Sequence, residues 1–144
     1  MKSLAFFLTI LLTQPLFATE LKFLNEPGAE KSGLPFSKAT QVGNLLFLSG
    51  ELGIDPKTKR LVKGGIEAES QQVMKNIAKT LKLFGSDLSK VAKCTVFLAD
   101  IEEWSKFNQV YVTFFKENFP ARSAVAGSGL ALSARVEVEC IAVI

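Results

Sequence analysis

The spacing of apolar residues divides the chain into short strands, two helices and turns. In FSKATQVGNLLFLSGEL, residues 36–52, two strand-like runs flank Gly43-Asn44, which predicts a hairpin. IDPKTKRLV, residues 54–62, predicts a polar turn around Pro56 with a short returning strand. From Ile66 the period lengthens. Val73, Ile77, Leu81 and Phe84 recur every three or four residues, the signature of an amphipathic helix, and Gly85 ends it. KVAKCTVFLAD, residues 90–100, returns to alternation, with Ala92, Cys94, Val96 and Leu98 on one face. Asp100 then stands as an N-cap with Glu103 in the capping-box position. Trp104, Phe107, Tyr111 and Phe114 or Phe115 form the apolar stripe of a second helix, which Pro120 prevents from continuing. Core packing explains this aromatic stripe more simply than a cofactor site does. Two strands, Ala121–Leu130 and Arg135–Ile144, complete the chain.

The expected order is therefore β-β-β-α-β-α-β-β, an α/β (α+β) domain with two helices on one face of a single sheet. Two helices cannot cover both faces, so the other face is polar or meets a partner. In the last strand Val136, Val138, Cys140 and Ala142 share one side, and Glu137, Glu139, Ile141 and Val143 the other. If the first set packs on the helices, Glu137 points to the uncovered face. In ARSAVAGSGL, residues 121–130, Arg122, Ala124, Ala126 and Ser128 alternate together. A face of small residues bearing one arginine suits close approach by another subunit, which motivates an oligomer.

The first residues, MKSLAFFLTILLTQPLFATE, change the domain boundary. Lys2 precedes an apolar run from Leu4 to Leu12, and Leu16-Phe17-Ala18 ends in a small residue. This is the pattern of a secretory signal peptide over residues 1–18, leaving 19–144 as one domain of an exported protein, periplasmic or secreted. The apolar run is short for a membrane span; an uncleaved N-terminal anchor is the alternative. The formal net charge of +3 loses only Lys2 with the signal, and the basic residues are scattered, so no nucleic-acid footprint is present. The chain of 144 residues contains no histidine. That excludes Ser-His-Asp and Cys-His catalysis and any His-ligated metal. Cys94 and Cys140 both fall in apolar strands, so buried free thiols are the default expectation; a disulfide is permitted in an exported protein.

Arg122 and Glu137 lie on strands consecutive in the chain. A cross-strand ion pair accounts for them at no functional cost. The functional alternative rests on chemistry. A guanidinium grips a carboxylate with a two-pronged fork, and a carboxyl nearby can carry protons to and from a water. Together they suit proton transfer or hydrolysis on a small molecule that has its own carboxylate. No phosphate-cradling glycine loop is present, and nothing supports a metal or nucleotide cofactor.

NFPARSAV followed by RVEVECIAV resembles the signature of the Rid family of reactive intermediate deaminases, of the RidA/YjgF type. VGNLLFLSGELGIDPKT is similar to that family's GN-hydrophobic-SGQ-x-x-DP-x-T segment, and residues 71–115 to its helix-strand-helix core. The resemblance covers residues 19–144. It implies a chorismate-mutase-like fold assembled as a homotrimer, with the sheets forming a central barrel and three clefts between subunits. It also implies cofactor-free hydrolysis of 2-aminoacrylate-type enamines, through their imine tautomers, to 2-keto acids and ammonia. On this resemblance Arg122 clamps the substrate carboxylate and Glu137 positions and activates water. Ser49 and Gly50 line the cleft, Asn108 matches a cleft asparagine, and Ala124 stands where the family often has cysteine. The departures are Phe36 for a common tyrosine, Glu51 for the glutamine of SGQ, and AVAGSGLALS after the arginine, which lacks the usual acid and proline. They bear on substrate size and leave Arg122 and Glu137 intact. A noncatalytic member that binds small carboxylates or a protein partner is the alternative.

Overall fold

The computed structural model describes residues 20–28 and 33–144. Residues 1–18, expected from their sequence to be a signal peptide, lie outside the described residues. Seven strands form one sheet: β1 (Leu21–Leu24), β2 (Ala39–Val42), β3 (Leu45–Leu48), β4 (Glu51–Leu52), β5 (Val91–Leu98), β6 (Ala121–Ala126) and β7 (Val136–Val143). Helix α1 (Gly65–Leu83) separates β4 from β5, and α2 (Trp104–Tyr111) separates β5 from β6. The sheet runs β1-β2-β3-β7-β5-β6, with β4 paired to β7 beyond the end of β3. All pairings are antiparallel except β5 with β6, whose parallel register is the kind that needs a crossover, here supplied by α2.

The expected fold class is therefore present, with two changes. Leu21–Leu24 adds a strand that the apolar pattern did not announce, pairing with β2. The return after Pro56 is reduced to a single bridge between Ile54 and Leu61. Gly43 makes the expected hairpin turn at φ 59, and Gly85 follows α1 at φ 83, both left-handed conformations that glycine adopts without Cβ strain.

The last strand sits mid-sheet and carries the core. Val136, Val138, Cys140 and Ala142 are buried against the helices, as their alternation predicts, while Glu137 and Glu139 turn to the open face. From α1, Val73, Ile77 and Leu81 meet them. In β5 the phase differs from expectation at one end. A register shift between Val91 and Lys93 buries Val91 and exposes Ala92, while Cys94, Val96 and Leu98 keep the inward face.

Three further expectations are corrected. Cys94 and Cys140 are joined by a disulfide, with S–S 1.99 Å, and are not free thiols. The cause is register: they are directly opposed on β5 and β7, with Cα atoms 4.1 Å apart, both facing inward. Asp100 caps a short 3-10 turn, accepting from the Glu102 N–H at 3.0 Å, and no capping box forms. The Glu103 carboxylate instead takes the Arg135 guanidinium in a fork, 2.8 Å to Nε and 2.5 Å to Nη2, which ties the start of α2 to the start of β7. Finally, α2 stops at Tyr111, well before Pro120. A 3-10 turn follows to Phe114, and Phe115 is already extended.

Candidate active site

Glu137 projects from β7 onto the open face, opposite Phe97 on β5 and Leu52 on β4. It is half-buried, and no ion pair or hydrogen bond claims its carboxylate among the described residues. Burial pushes its pKa up from 4.5, and the charge of Glu139 on the same face adds to the rise. Gly50 explains how the carboxylate lies so close to the backbone. A Cβ on Gly50 would fall on the Glu137 Oε1 and within 2.8 Å of the carboxyl carbon, so any side chain there displaces the acid. The hydroxyl of Ser49 donates to the Ser37 carbonyl at 2.7 Å, and the Ser49 N–H to the Lys38 carbonyl at 3.1 Å. Ser49 is thereby fixed, with hydroxyl lone pairs left to accept. Phe36, Ser49, Gly50 and Glu139 line one cavity of about 660 Å³. The sequence-derived residues Phe36, Ser49, Gly50 and Glu137 thus form one group.

Arg122 belongs to a second group. It lies on β6 in register with Cys94, and Ala124 in register with Val96, so both face the helices. The guanidinium carbon stands 4.7 Å from the ring centroid of Tyr111, 5.6 Å from Phe107 and 5.9 Å from Trp104. All three fall within the range of cation–π attraction. The aromatic stripe of α2 therefore has two roles. Phe107 and Tyr111 are core, and the stripe also cradles the arginine, which the spacing Trp104, Phe107, Tyr111 signals only once Arg122 is known to face it. No carboxylate pairs with Arg122 among the described residues, so its fork is unspent. On the same helix, the Asn108 Oδ1 and the Tyr111 hydroxyl are buried without hydrogen-bond partners among the described residues. Burial pushes the Tyr111 pKa up to about 12, against the opposing pull of the Arg122 charge, so the phenol stays neutral.

The cross-strand ion pair is absent. β5 lies between β6 and β7, and Arg122 and Glu137 occupy opposite faces of the sheet. The small-residue face bearing Arg122 is consequently the helix side of an edge strand rather than the open face expected for it. Within one chain the two groups lie apart: an acid on a glycine shelf, and a guanidinium in an aromatic cradle.

Glu51 is a residue whose place could not be read from sequence. It is buried, and its Oε1 accepts from Lys38 Nζ at 2.7 Å and from the Thr80 hydroxyl at 2.7 Å. A carboxylate is tolerated where the family pattern has an amide because a lysine neutralises it. Among the described residues no group of three or more potential ligands could hold a metal ion, and no helix is long and apolar enough to cross a membrane.

A family model described as Endoribonuclease L-PSP matches residues 26–144. A human protein named 2-iminobutanoate/2-iminopropanoate deaminase is 40% identical over 109 residues, covering 76% of this chain and 80% of that protein. Among solved structures, one titled a putative endoribonuclease L-PSP from Entamoeba histolytica superposes with a TM-score of 0.80 at 37% identity, covering 87% of this chain and 100% of that one. RidA from an Antarctic Psychrobacter superposes with a TM-score of 0.74 at 37% identity, covering 78% of this chain and 90% of that one.

Proposed function

The chain belongs to the Rid family, and on that premise we propose that it hydrolyses short 2-imino acids, with the enamines that tautomerise to them, to 2-keto acids and ammonia. The reading is supported by the relatives named as imine deaminases. The observation that carries it in this chain is Glu137, an unpaired, half-buried carboxyl of raised pKa resting on Gly50.

The two half-sites favour assembly. Glu137 of one subunit would face Arg122 of a neighbour across an intersubunit cleft of a homotrimer. Exposed apolar rows on the open face support such burial: Leu21, Val42 and Leu45 align across three strands, with Phe23 and Phe47 beside them. Arg122 would grip the substrate carboxylate with both prongs and fix C2 of the imine over Glu137. The imine reacts as its N-protonated iminium: Glu137, ionised, takes one proton from a water as the oxygen bonds to C2 and the C=N π pair passes to nitrogen. The resulting carbinolamine carries a hydroxyl and an amino group on that carbon. Glu137 returns its proton to the nitrogen, the C–N bond breaks as ammonia leaves, and the hydroxyl proton passes to the freed Glu137 carboxylate and on to solvent as the carbonyl forms. One water is consumed and one ammonia released, with no oxidant or metal in the balance. Asn108, Ser49 and Ala124 line the path from the carboxylate grip to the reacting carbon.

An extracytoplasmic location belongs to the same proposal. The signal-like N-terminal sequence favours it, and so does the Cys94–Cys140 disulfide, since such bonds persist in oxidising compartments. The test is keto-acid release from freshly generated 2-aminoacrylate beside Arg122→Ala. The parent should accelerate release and the variant should not; equal rates with and without parent protein would end the proposal.

A further inference from the structure

The shelf at Gly50 borders a second cavity, of about 460 Å³, on the side toward α1. That volume lies within the range of small-molecule pockets, roughly 300–1,000 Å³. Its walls combine three large apolar side chains that the monomer leaves open to solvent: Leu34 at 59% exposure, Phe36 at 58% and Leu132 at 69%. Ile54 adds to them. Such a concentration of exposed apolar surface around one hollow marks a binding site more often than chance does.

Leu132 reaches the cavity through an unusual backbone. Leu132 and Ser133 are consecutive non-glycine residues in the left-handed region, at φ 56 and φ 60. Strain of this kind collects at functional sites. It falls within AVAGSGLALS, the stretch where this chain departs from its family's usual sequence.

Two of the three lysines along the cavity are paired. Lys38 is held by Glu51 at 2.7 Å and Lys79 by Glu26 at 3.5 Å. Lys59 is the one lining lysine without an ion pair among the described residues, and the apolar side chains supply most of the remaining wall, so the cavity favours apolar bulk.

We infer that this cavity receives the substrate's side chain, and that the chain acts preferentially on 2-imino acids with a branched or aromatic apolar side chain of four or more carbons. The inference rests on the deaminase reading of Glu137 and Arg122. With the imine carbon above Gly50, the substituent on C3 continues past the glycine into the space between Phe36 and Leu132. Phe36, which lacks the hydroxyl of the family's common tyrosine, presents an apolar edge there.

The test compares imines generated in situ by an amino-acid oxidase from 2-aminobutyrate and from leucine, with the parent and with Leu132→Gly. Glycine suits the φ of this position, so the variant should fold at least as well as the parent. The parent should favour the leucine-derived imine in kcat/KM. The Leu132→Gly variant should lose that preference by about 10-fold, within the 10–200-fold range for apolar pocket contacts. Calorimetry of 4-methyl-2-oxopentanoate, 2-oxobutyrate and 2-oxoglutarate accompanies the assay. If neither imine is turned over, yet the branched keto acid binds more tightly than 2-oxobutyrate and loses that advantage in Leu132→Gly, the deaminase reading fails and the pocket stands. Turnover of both imines with an unchanged ratio in Leu132→Gly overturns the pocket and leaves the deaminase reading. Tighter binding of 2-oxoglutarate than of the branched acid also overturns it, as does absence of both turnover and keto-acid binding.

Discussion

At the level of single residues, the proposed mechanism turns on the fate of one proton on Glu137. Burial and the Glu139 charge both raise its pKa above 4.5. The carboxylate is the water-activating form, so activity is lost as pH falls through that raised pKa. The acid limb of kcat/KM should therefore lie above the range of an ordinary glutamate. Glu139→Gln removes the second cause and should move the limb to lower pH with only a mild loss of rate; a limb that stays in place contradicts the assignment. Glu137→Gln should reduce turnover by about 10²–10⁴-fold, the usual worth of a positioned acid–base group, while a 2-keto acid still binds. Lys38 is tested by stability. Lys38→Met strands the buried Glu51 carboxylate, at a cost of about 3 kcal/mol, the lower end for a broken buried pair because the lysine is partly exposed. Adding Glu51→Gln should restore most of the melting temperature. The motifs in the sequence singled out Arg122, Glu137, Ser49 and Gly50, and the fold sets Glu137 against Gly50. The Lys38–Glu51 pair was not, because its partners meet only once β2, β3 and β4 have folded back on one another.

Among the elements, local pattern gave both helices, the hairpin at Gly43 and the inward face of β7. Strand order was hidden. β6 and β7 follow one another in the chain, yet β5 separates them in the sheet, a long-range choice that leaves no mark on alternation. The same choice opposes Cys94 to Cys140 and so makes the disulfide. It closes a loop of sequence separation 46, for which the chain-entropy treatment gives about 4 kcal/mol. Replacing both cysteines with alanine, or melting under reductant, should lower stability by roughly 2–4 kcal/mol. An unchanged melting curve on verified reduction contradicts the staple. Helix α2 presents Trp104, half out in solvent, as the outer wall of the Arg122 cradle. Trp104→Ala should raise KM about 2- to 5-fold with kcat nearly kept, the scale of an exposed cation–π contact of roughly 0.5–1 kcal/mol. Trp104→Phe should recover most of it, an outcome that loss of packing alone does not produce.

Over the whole molecule, the proposed mechanism requires copies of the chain to complete each other, because Arg122 and Glu137 lie on opposite faces of one sheet. The apolar rows at Leu21, Val42 and Leu45 and the uncovered edge of β6 offer the surface for it. Light scattering should return a trimer at micromolar concentration. The most direct measurement mixes two disabled chains. Arg122→Ala and Glu137→Gln, each inactive alone, are co-refolded in equal amounts and their mixed assembly confirmed by mass. In a closed ring of head-to-tail interfaces, about one cleft in four then pairs an intact Glu137 with an intact Arg122 from its neighbour. Activity should return to about a quarter of the parent's, on that same counting. Mixed trimers that remain as inactive as either variant alone would contradict a site shared between subunits.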